Sequence, residues 1–584
     1  MKRWREMAGL ACLALVAVLP FLGALQADFV EWDDDINVTQ NSRVQGLDAG
    51  RLKWMFGTAE YAMRYKPLNW LAWAVIYEVQ GLRPFGFHLA NLVLHGANAV
   101  LLFLVLRRML GLAEVSGVRR CGAVAVNVAG AMGALLWAWN PLRVEPVAWV
   151  TGLPYGLAVF FVLAAWWAYL GAGAEGVRKP GYYWGSVGLY LLAALTFPIV
   201  VVFVAVLVAV DVAVLGRFRG VEGGWLGAAA RRVWWEKLPF LVVAVGLMVP
   251  TLVGRLGSKG THLYEGAVGL GEYGVFRRVM QAFYVWAYYA WKPWLPTDLA
   301  AVYPTLLGFD PMNGPFVGSA LLVVVVTVGL IRLRGRWPGV LAVWLAYLAV
   351  TVPVLGLTEF PHYPSDRYAH LPNLAWAVTV AFGLGAAWAR VQVRGVGLAV
   401  VGGATLVWGA LSFWQTPVWN NSISLFEGTL EALRGSVYAG DIAWRLGGLH
   451  ARAGNVERAG QCFELYRATR WPSVRGDVLA AAYWLEREKL EEAEYHAEAA
   501  LRLKVDDVSA MNVLAIVSFR RGNWLRAQEL FRASLMVEER QPQIWERLAE
   551  ALERLGKVAD AASARERGRM VGRSGPTDGF KSGR

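Results

Sequence analysis

The chain has 584 residues, of which 57% are hydrophobic and 17% are charged, and its formal net charge is +13. This profile excludes a soluble globular protein for most of the chain. The basic residues do not gather on one predicted helix face, so we attribute the charge to membrane topology and not to nucleic-acid binding. The cysteines are scattered and indicate neither a disulfide framework nor a metal site; they are Cys12, Cys121 and Cys462.

The first predicted element is an apolar run at residues 7–26, behind Lys2, Arg3 and Arg5. A signal peptide is the alternative, but acidic residues follow the run where a small-residue cleavage site would stand. We therefore expect a retained signal anchor with its N-terminus in the cytoplasm. Ten further runs have the composition of membrane spans; they lie near 88–110, 121–139, 154–172, 183–197, 199–215, 237–254, 314–331, 339–357, 372–389 and 395–413.

Basic residues predict the orientation of these spans, because Lys and Arg concentrate in cytoplasmic loops. Eleven spans keep the basic clusters inside if the aromatic run at 279–295 is interfacial or re-entrant. The outer face then collects four loops, at 27–87, 140–153, 255–313 and 358–371. We expect a multi-pass protein of a bacterial inner membrane, with its C-terminal region in the periplasm or at the cell exterior.

The first outer loop opens with an acidic run, Glu31-Trp32-Asp33-Asp34-Asp35. Carboxylates beside hydrocarbon are costly unless they have a task or a partner. A desolvated Asp has a raised pKa and can serve as a general base, whereas a solvated acidic loop is the alternative. The cations Arg64 and Lys66 follow in the same loop, in the segment Arg-Tyr-Lys-Pro-Leu.

The second span begins with a polar stripe formed by His88, Asn91 and His95. Their i, i+3, i+7 spacing places them on one helical face. Such a stripe in a span points into a bundle, either for hydrogen bonding between helices or to shape a site. No further His or Asp stands at ligand spacing, so we predict no metal site and no cofactor.

Two later outer loops add polar residues. Residues 140–149 read NPLRVEPVAW, and Glu145 there could pair with Arg143 or orient an acceptor. Residues 364–373 read PSDRYAHLPN and lead into the tenth span. A cation at a helix entrance, here Arg367, is well placed for a phosphate. A local pair with Asp366, or ordinary interfacial anchoring, is the alternative.

The last predicted element is a repeat of 34 residues that begins near residues 440, 474, 508 and 542. Small residues recur where two helices of a unit would cross, at Gly447, Ala481, Ala515 and Ala549 and again at Ala459, Ala493, Ala527 and Ala561. This period is typical of tetratricopeptide (TPR) repeats. Gly454, Gly522 and Gly556 mark the turn inside three units, and Glu488 stands there in the second.

Taken in order, these motifs resemble those of bacterial multi-spanning glycosyltransferases with C-terminal TPR units, and of the eukaryotic transmembrane-and-TPR O-mannosyltransferases. The matching segments are Trp32-Asp33-Asp34, Tyr65-Lys66-Pro67-Leu68, the His88–His95 helix, Glu145 with Val147-Ala148, and Asp366-Arg367-Tyr368 before Leu371-Pro372. The resemblance implies an all-α chain: a GT-C-like transmembrane bundle of about 11 spans over 1–414, a linker over 415–439, a TPR domain over 440–572 and a disordered tail over 573–584.

The resemblance also implies a function, the transfer of a sugar from a polyprenyl-phosphate carrier to a protein or glycan acceptor on the non-cytoplasmic face. Asp33 or Asp34 would be the base, with a preference for Asp34. Arg367 would face the carrier phosphate, helped by Lys66, Arg64 and Lys292. The acceptor side would be shaped by His88, Asn91, His95, Glu145 and Tyr368, and the TPR groove would hold a protein acceptor or partner.

Some positions depart from the family pattern. Asn140 and Arg143 stand where two His are usual, Gly152-Leu153-Pro154-Tyr155 replaces a segment with a basic residue and an Asp, and Phe197 replaces a Lys. A catalytically degenerate scaffold whose TPR domain recruits envelope proteins is therefore the alternative function. A transporter is the third possibility, because the spans of such proteins usually show internal repeats and the spans of this sequence show none.

Overall fold

The computed structural model describes residues 2–58, 65–115, 122–173, 179–219, 224–257, 274–357, 362–388 and 390–573. Within these ranges the chain is built from helices, which confirms the predicted all-α class. The chain divides into two compact units, Met1–Leu425 and Phe426–Arg584. The division falls inside the predicted linker, where the structure forms a helix over Ser422–Ala432.

The longer helices of the first unit are joined by short turns, many of them 3₁₀-helical. Their bounds are Lys2–Val18, Pro67–Gln80, Pro84–Val115, Ala123–Ala138, Leu153–Ala172, Pro180–Thr196, Phe203–Ala213, Leu238–Gly257, Val275–Trp291, Gly314–Arg332, Pro338–Thr351, Leu374–Ala387 and Val391–Gln415. Shorter helices cover Ala49–Gly57, Val144–Ala148 and Ala228–Trp235. Several begin at proline, whose fixed φ and missing N–H suit the first turn of a helix.

Among the described residues, six helices are long and apolar enough to cross a membrane: Arg3–Gln26, Pro84–Ala113, Val150–Ala172, Ala230–Val253, Gly314–Arg332 and Val391–Trp419. A seventh span results if Ala123–Ala138 and Pro141–Ala148, which meet at 62°, are one bent span. The expected count of about eleven is not confirmed. One physical reason lies at Pro198, which leaves Phe197 in an extended conformation; the two predicted runs on either side of it form helices of only 17 and 11 residues.

The helix Pro84–Val115 is central to the first unit and packs against Lys2–Val18, Ala123–Ala138 and Leu153–Ala172. Small residues allow the close approaches in this bundle. A Cβ at Gly133 would lie 2.8 Å from the carbonyl oxygen of Ala377, so the helix Leu374–Ala387 can approach only a glycine there.

The two ends of the first unit are fastened to each other. The Asp28 N–H donates to the carbonyl of Asn420 at 2.7 Å, and the Glu31 N–H donates to Ser422 Oγ at 2.8 Å. The Thr416 hydroxyl donates to the carbonyl of Pro20 at 3.3 Å. The acidic run that follows the first helix is therefore held by the segment that follows the last long helix.

The second unit confirms the predicted repeat. Its first helices are Ala439–Arg452, Val474–Glu486, Val508–Arg520 and Pro542–Arg554, and its second helices are Val456–Thr469, Leu490–Leu503, Trp524–Val537 and Val558–Arg573. The second helices start at intervals of 34 residues. The small residues of the repeat are buried between the helices of each pair. Gly454, Gly522 and Gly556 have φ of 77°, 78° and 74°, and Glu488 has the same left-handed conformation with φ of 59°.

Candidate active site

Three segments that are distant in the sequence meet around Trp149: the acidic run at 31–35, the loop at 140–152 and the turn at 365–370. The Trp149 indole N–H donates to the carbonyl of Trp32 at 2.9 Å. The guanidinium carbon of Arg367 lies 5.2 Å from the centre of the Trp149 ring. Three of the predicted polar loops thus form one site.

The backbone of the acidic run is strained. Asp33 has a left-handed φ of 72°, and a single π-helical turn covers Asp35–Thr39. The backbone N–H and the side-chain amide of Asn37 both donate to the Asp33 carbonyl at 2.9 Å, and these bonds hold the turn in place. Such strain persists only where the surrounding structure imposes it, and it is frequent at functional sites.

The two neighbouring aspartates have different environments. Asp34 is fully buried, and its carboxylate accepts hydrogen bonds from the Thr151 N–H at 2.9 Å, the Thr151 hydroxyl at 2.6 Å and the Val30 N–H at 3.0 Å. Burial raises the pKa of Asp34 to about 7, although these hydrogen bonds oppose the shift. Asp33 is only partly buried and lies close enough to Arg367 to interact electrostatically with it. Asp34 therefore braces the turn, whereas Asp33 is within electrostatic range of the Arg367 guanidinium.

Arg367 is held by Glu145. One carboxylate oxygen of Glu145 accepts the Arg367 backbone N–H at 2.7 Å, and the other accepts a guanidinium N–H. Burial lowers the pKa of Arg367, but the Glu145 carboxylate, with smaller contributions from Tyr368, Tyr155 and Asp33, raises it well above its ordinary value. Of the expected alternatives for Glu145, pairing with Arg143 is not what the structure shows.

Asp366 also has a different partner from the one considered. In the described part of the chain it forms no ion pair with Arg367; it accepts a hydrogen bond from the Tyr303 hydroxyl at 2.8 Å. Burial and repulsion by Glu145 raise the pKa of Asp366, and Lys292, Tyr303 and Arg143 oppose that shift. Lys292 donates to the carbonyl of Thr297 at 2.6 Å. Lys292 thus lies at the site, on the side of Asp366.

The predicted polar stripe on the second span, formed by His88, Asn91 and His95, lies against the loop at 140–152. The Asn91 side chain donates to the carbonyl of Trp149 at 2.8 Å, and His95 Nε2 lies 3.1 Å from the carbonyl of Ala138. His88 is buried on the same helical face. The contacts of Asn91 and His95 are those of the simpler prediction, hydrogen bonding between elements of the bundle.

The remaining predicted residues are placed as follows. Lys66 is buried, 4.2 Å and 5.2 Å from the ring centres of Trp70 and Trp73, and donates to Asn37 Oδ1 at 3.3 Å. The Tyr368 ring lies 5.1 Å from the Arg367 guanidinium carbon. Arg64 lies outside the described residues. Among the residues that the structure describes, no three His, Cys, Asp or Glu side chains are grouped so as to hold a metal ion.

An apolar cavity of about 70 Å³ lies beside the site. Its walls come from the helices Leu153–Ala172, Phe203–Ala213, Pro338–Thr351 and Leu374–Ala387, and Leu371 and Pro372 line it directly after the turn that carries Arg367. The site therefore combines a charged centre with a neighbouring hydrocarbon-like space.

Sequence reasoning did not select several residues that complete the site, in particular Arg143, His370 and Tyr303. Arg143 is fully buried, and its guanidinium lies 3.1 Å from His370 Nδ1. The available signal was the departure of residue 143 from the family pattern. A second buried cluster, away from these contacts, joins Asp211 to Lys237 at 2.6 Å and Arg217 to Glu236 at 2.5 Å.

The fold and the site define a polytopic membrane protein with a solenoid of paired helices attached. No family model matches the chain. Sequence comparison finds similarity to the protein O-mannosyl-transferase TMTC4 of Mus musculus, 28% identical over 179 residues, which are 29% of this chain and 24% of that protein. TMTC4 of Homo sapiens is 26% identical over 220 residues, 35% of this chain and 29% of that protein. Tmtc3 of Drosophila melanogaster is 32% identical over 111 residues, 18% of this chain and 12% of that protein.

The chain thus matches less than a third of the length of these relatives. Among solved structures, a crystal structure of MamA protein aligns with a TM-score of 0.25 and 14% identity, over 28% of this chain and 86% of that one.

Proposed function

We propose that the protein is an integral membrane glycosyltransferase that moves a sugar from a polyprenyl-phosphate carrier to a protein or glycan acceptor on the non-cytoplasmic face. The similar proteins are named protein O-mannosyl-transferases, so mannose is the first sugar to test. The observation that carries the proposal is one site built from three distant loops, in which Trp149 contacts both the acidic run, through the Trp32 carbonyl, and Arg367, which is paired with Glu145.

Asp33 is the proposed base, in place of the initially preferred Asp34. The carboxylate of Asp33 takes the proton of the acceptor hydroxyl while that oxygen attacks the anomeric carbon. The bond from this carbon to the carrier phosphate breaks, and the phosphate leaves with the electron pair. Cations around the phosphate stabilise the charge that develops there, so the step needs little from the protein beyond positioning and electrostatics.

The lipid part of the donor is supported by the apolar cavity beside the site, which continues from Leu371 and Pro372 into the helical bundle. A volume of about 70 Å³ holds only a short stretch of a hydrocarbon chain, so the rest of the carrier would lie in the bilayer. The TPR unit supplies a partner-binding groove of the kind that takes extended peptides.

The test is transfer by the full-length protein in lipid nanodiscs, supplied with labelled polyprenyl-phosphate mannose and proteins extracted from the source membranes. We expect label in the proteins and release of polyprenyl phosphate. Asp33→Asn should reduce both by about 10²–10⁴-fold, and Asp310→Asn, which removes an exposed carboxylate from another predicted outer loop, should not. Absence of transfer by the wild type, with proteins still retained by the TPR unit, would favour the scaffold.

A further inference from the structure

We propose that Arg143 and His370 form a binding site for a phosphate oxyanion. Both side chains are buried, and a terminal guanidinium nitrogen of Arg143 donates to His370 Nδ1 at 3.1 Å. The Nε–H and the second terminal NH₂ group of Arg143 have no acceptor among the described residues. No carboxylate in the described ranges lies within ion-pair distance of this guanidinium, in contrast to Arg367, which Glu145 neutralises.

The donor groups of this site are fixed by its chemistry. Arg is always protonated in proteins, so His370 Nδ1 must accept and its proton resides on Nε2. Burial, with Arg143 and His95, lowers the pKa of His370 well below its ordinary value and keeps the ring neutral. His370 Nε2 is buried without a partner in the part of the chain that the structure describes, and so is the side-chain amide of Asn373 one turn later.

Asp366 interacts electrostatically with Arg143 but forms no ion pair with it among the described residues. A buried guanidinium with unsatisfied N–H donors is costly, so these donors call for an anion. The planar fork of Arg matches two oxygens of a phosphate with parallel hydrogen bonds, which the compact ammonium of Lys cannot reproduce. The Trp137 ring, 5.3 Å from the guanidinium carbon, covers one face of the fork and fixes its orientation. An anion would therefore approach Arg143 edge-on.

The site is next to the apolar cavity along the chain, because Leu371 and Pro372, which follow His370, line that cavity. This arrangement favours a phosphate that carries a hydrocarbon chain over a free phosphate. Assigning that phosphate to the sugar carrier rests on the proposed function, whereas the anion site itself does not.

The test is equilibrium binding to the full-length protein in nanodiscs, with polyprenyl monophosphate, inorganic phosphate and polyprenol as probes. We expect polyprenyl monophosphate to bind at least tenfold more weakly to Arg143→Gln, with Arg143→Lys intermediate. Arg434→Gln, which changes a largely exposed arginine, is the control and should bind as the wild type does. Equal binding to wild type and Arg143→Gln would overturn the proposal.

Melting temperatures show whether Arg143 is instead a structural residue. Without phosphate, Arg143→Gln should melt no lower than the wild type, because it removes a buried charge that has no ion-pair partner among the described residues; a clearly lower value would overturn the anion site. Inorganic phosphate binding as tightly as the lipid would refute the hydrocarbon preference. Transfer unaffected by Arg143→Gln would refute the carrier assignment alone, and phosphate binding without any transfer would refute the proposed function alone.

Discussion

Asp33 and Asp34 are adjacent, and the structure assigns them different consequences when each is changed to Asn. Asp33→Asn keeps the shape of a partly buried side chain and removes only the carboxylate that we propose as the base. We expect transfer to fall by about 10²–10⁴-fold, the usual contribution of a positioned base. The melting temperature should stay the same, because the Asp33 contacts that hold the turn are made by its backbone carbonyl.

Asp34→Asn should mainly lower the stability of the folded protein. The carboxylate accepts three hydrogen bonds, two from Thr151 and one from Val30, whereas an amide offers one acceptor oxygen and one NH₂ group. If the oxygen keeps Thr151, the NH₂ faces the Val30 N–H, and a buried donor without an acceptor costs about 1–3 kcal/mol. The variant should therefore unfold at a lower temperature, with transfer reduced only as far as the turn loosens.

The pH dependence gives a second signature of Asp34. Its pKa is raised from 3.8 to about 7, so between these values the unfolded chain loses a proton that the folded chain retains. Stability should thus fall as pH rises from about 4 to about 7 and then level off. The Asn variant lacks this component of the slope.

Melting curves and transfer rates measured on the same nanodisc preparations test both assignments. If Asp33→Asn transfers normally while Asp34→Asn melts normally and does not transfer, Asp34 is the base and our reading of the turn is wrong.

Other predictions follow from the pairs and turns described above. Arg367→Gln should destabilise the protein by about 3–5 kcal/mol, because it leaves the Glu145 carboxylate buried and unpaired. Adding Glu145→Gln to this variant should recover much of the loss, and additive melting shifts in the double-mutant cycle would refute the pairing. Glu488→Gly should stabilise the second unit by up to about 1 kcal/mol, because glycine adopts positive φ without strain. The control Glu464→Gly, in a helix interior, should destabilise it by about 1 kcal/mol. Chemical unfolding monitored by hydrogen exchange measures both changes in unfolding free energy, and changes of the same sign would contradict the argument. A reporter active only outside the cytoplasm should be active when fused after Arg434 and after Arg584, and cytoplasmic signal from both fusions would overturn the predicted topology.

The sequence was most informative where the same pattern of residues recurs along the chain. The 34-residue period predicted all four helix pairs of the second unit. Each helix crossing requires a small buried residue, and the regular spacing of these residues can be recognised without knowing the tertiary structure. It even indicated the position of Glu488, whose left-handed backbone takes the place of the glycine in the other repeats.

Partnerships inside the site could not be predicted in the same way. The sequence brought Glu145 and Arg367 to one face, but not to each other, since nothing local connects residues 222 positions apart. The different environments of Asp33 and Asp34 depend on which side chain reaches Thr151, 117 positions away, and on the positive φ of Asp33, neither of which the sequence reveals. The count of about eleven spans is not confirmed, because several of the apolar runs form helices shorter than 18 residues, among them Pro338–Thr351 and Leu374–Ala387.

The hydrogen bond between Glu31 and Ser422 also has a consequence for the order of events during synthesis of the chain. The two residues are 391 positions apart, so the acidic run leaves the ribosome long before the partner that holds it exists. At ordinary synthesis rates of about 5–20 residues per second, the delay is roughly 20–80 seconds. During that interval the first loop of the nascent chain lacks the hydrogen bonds that hold it in the folded protein. The site is completed only when the last membrane segment has been made.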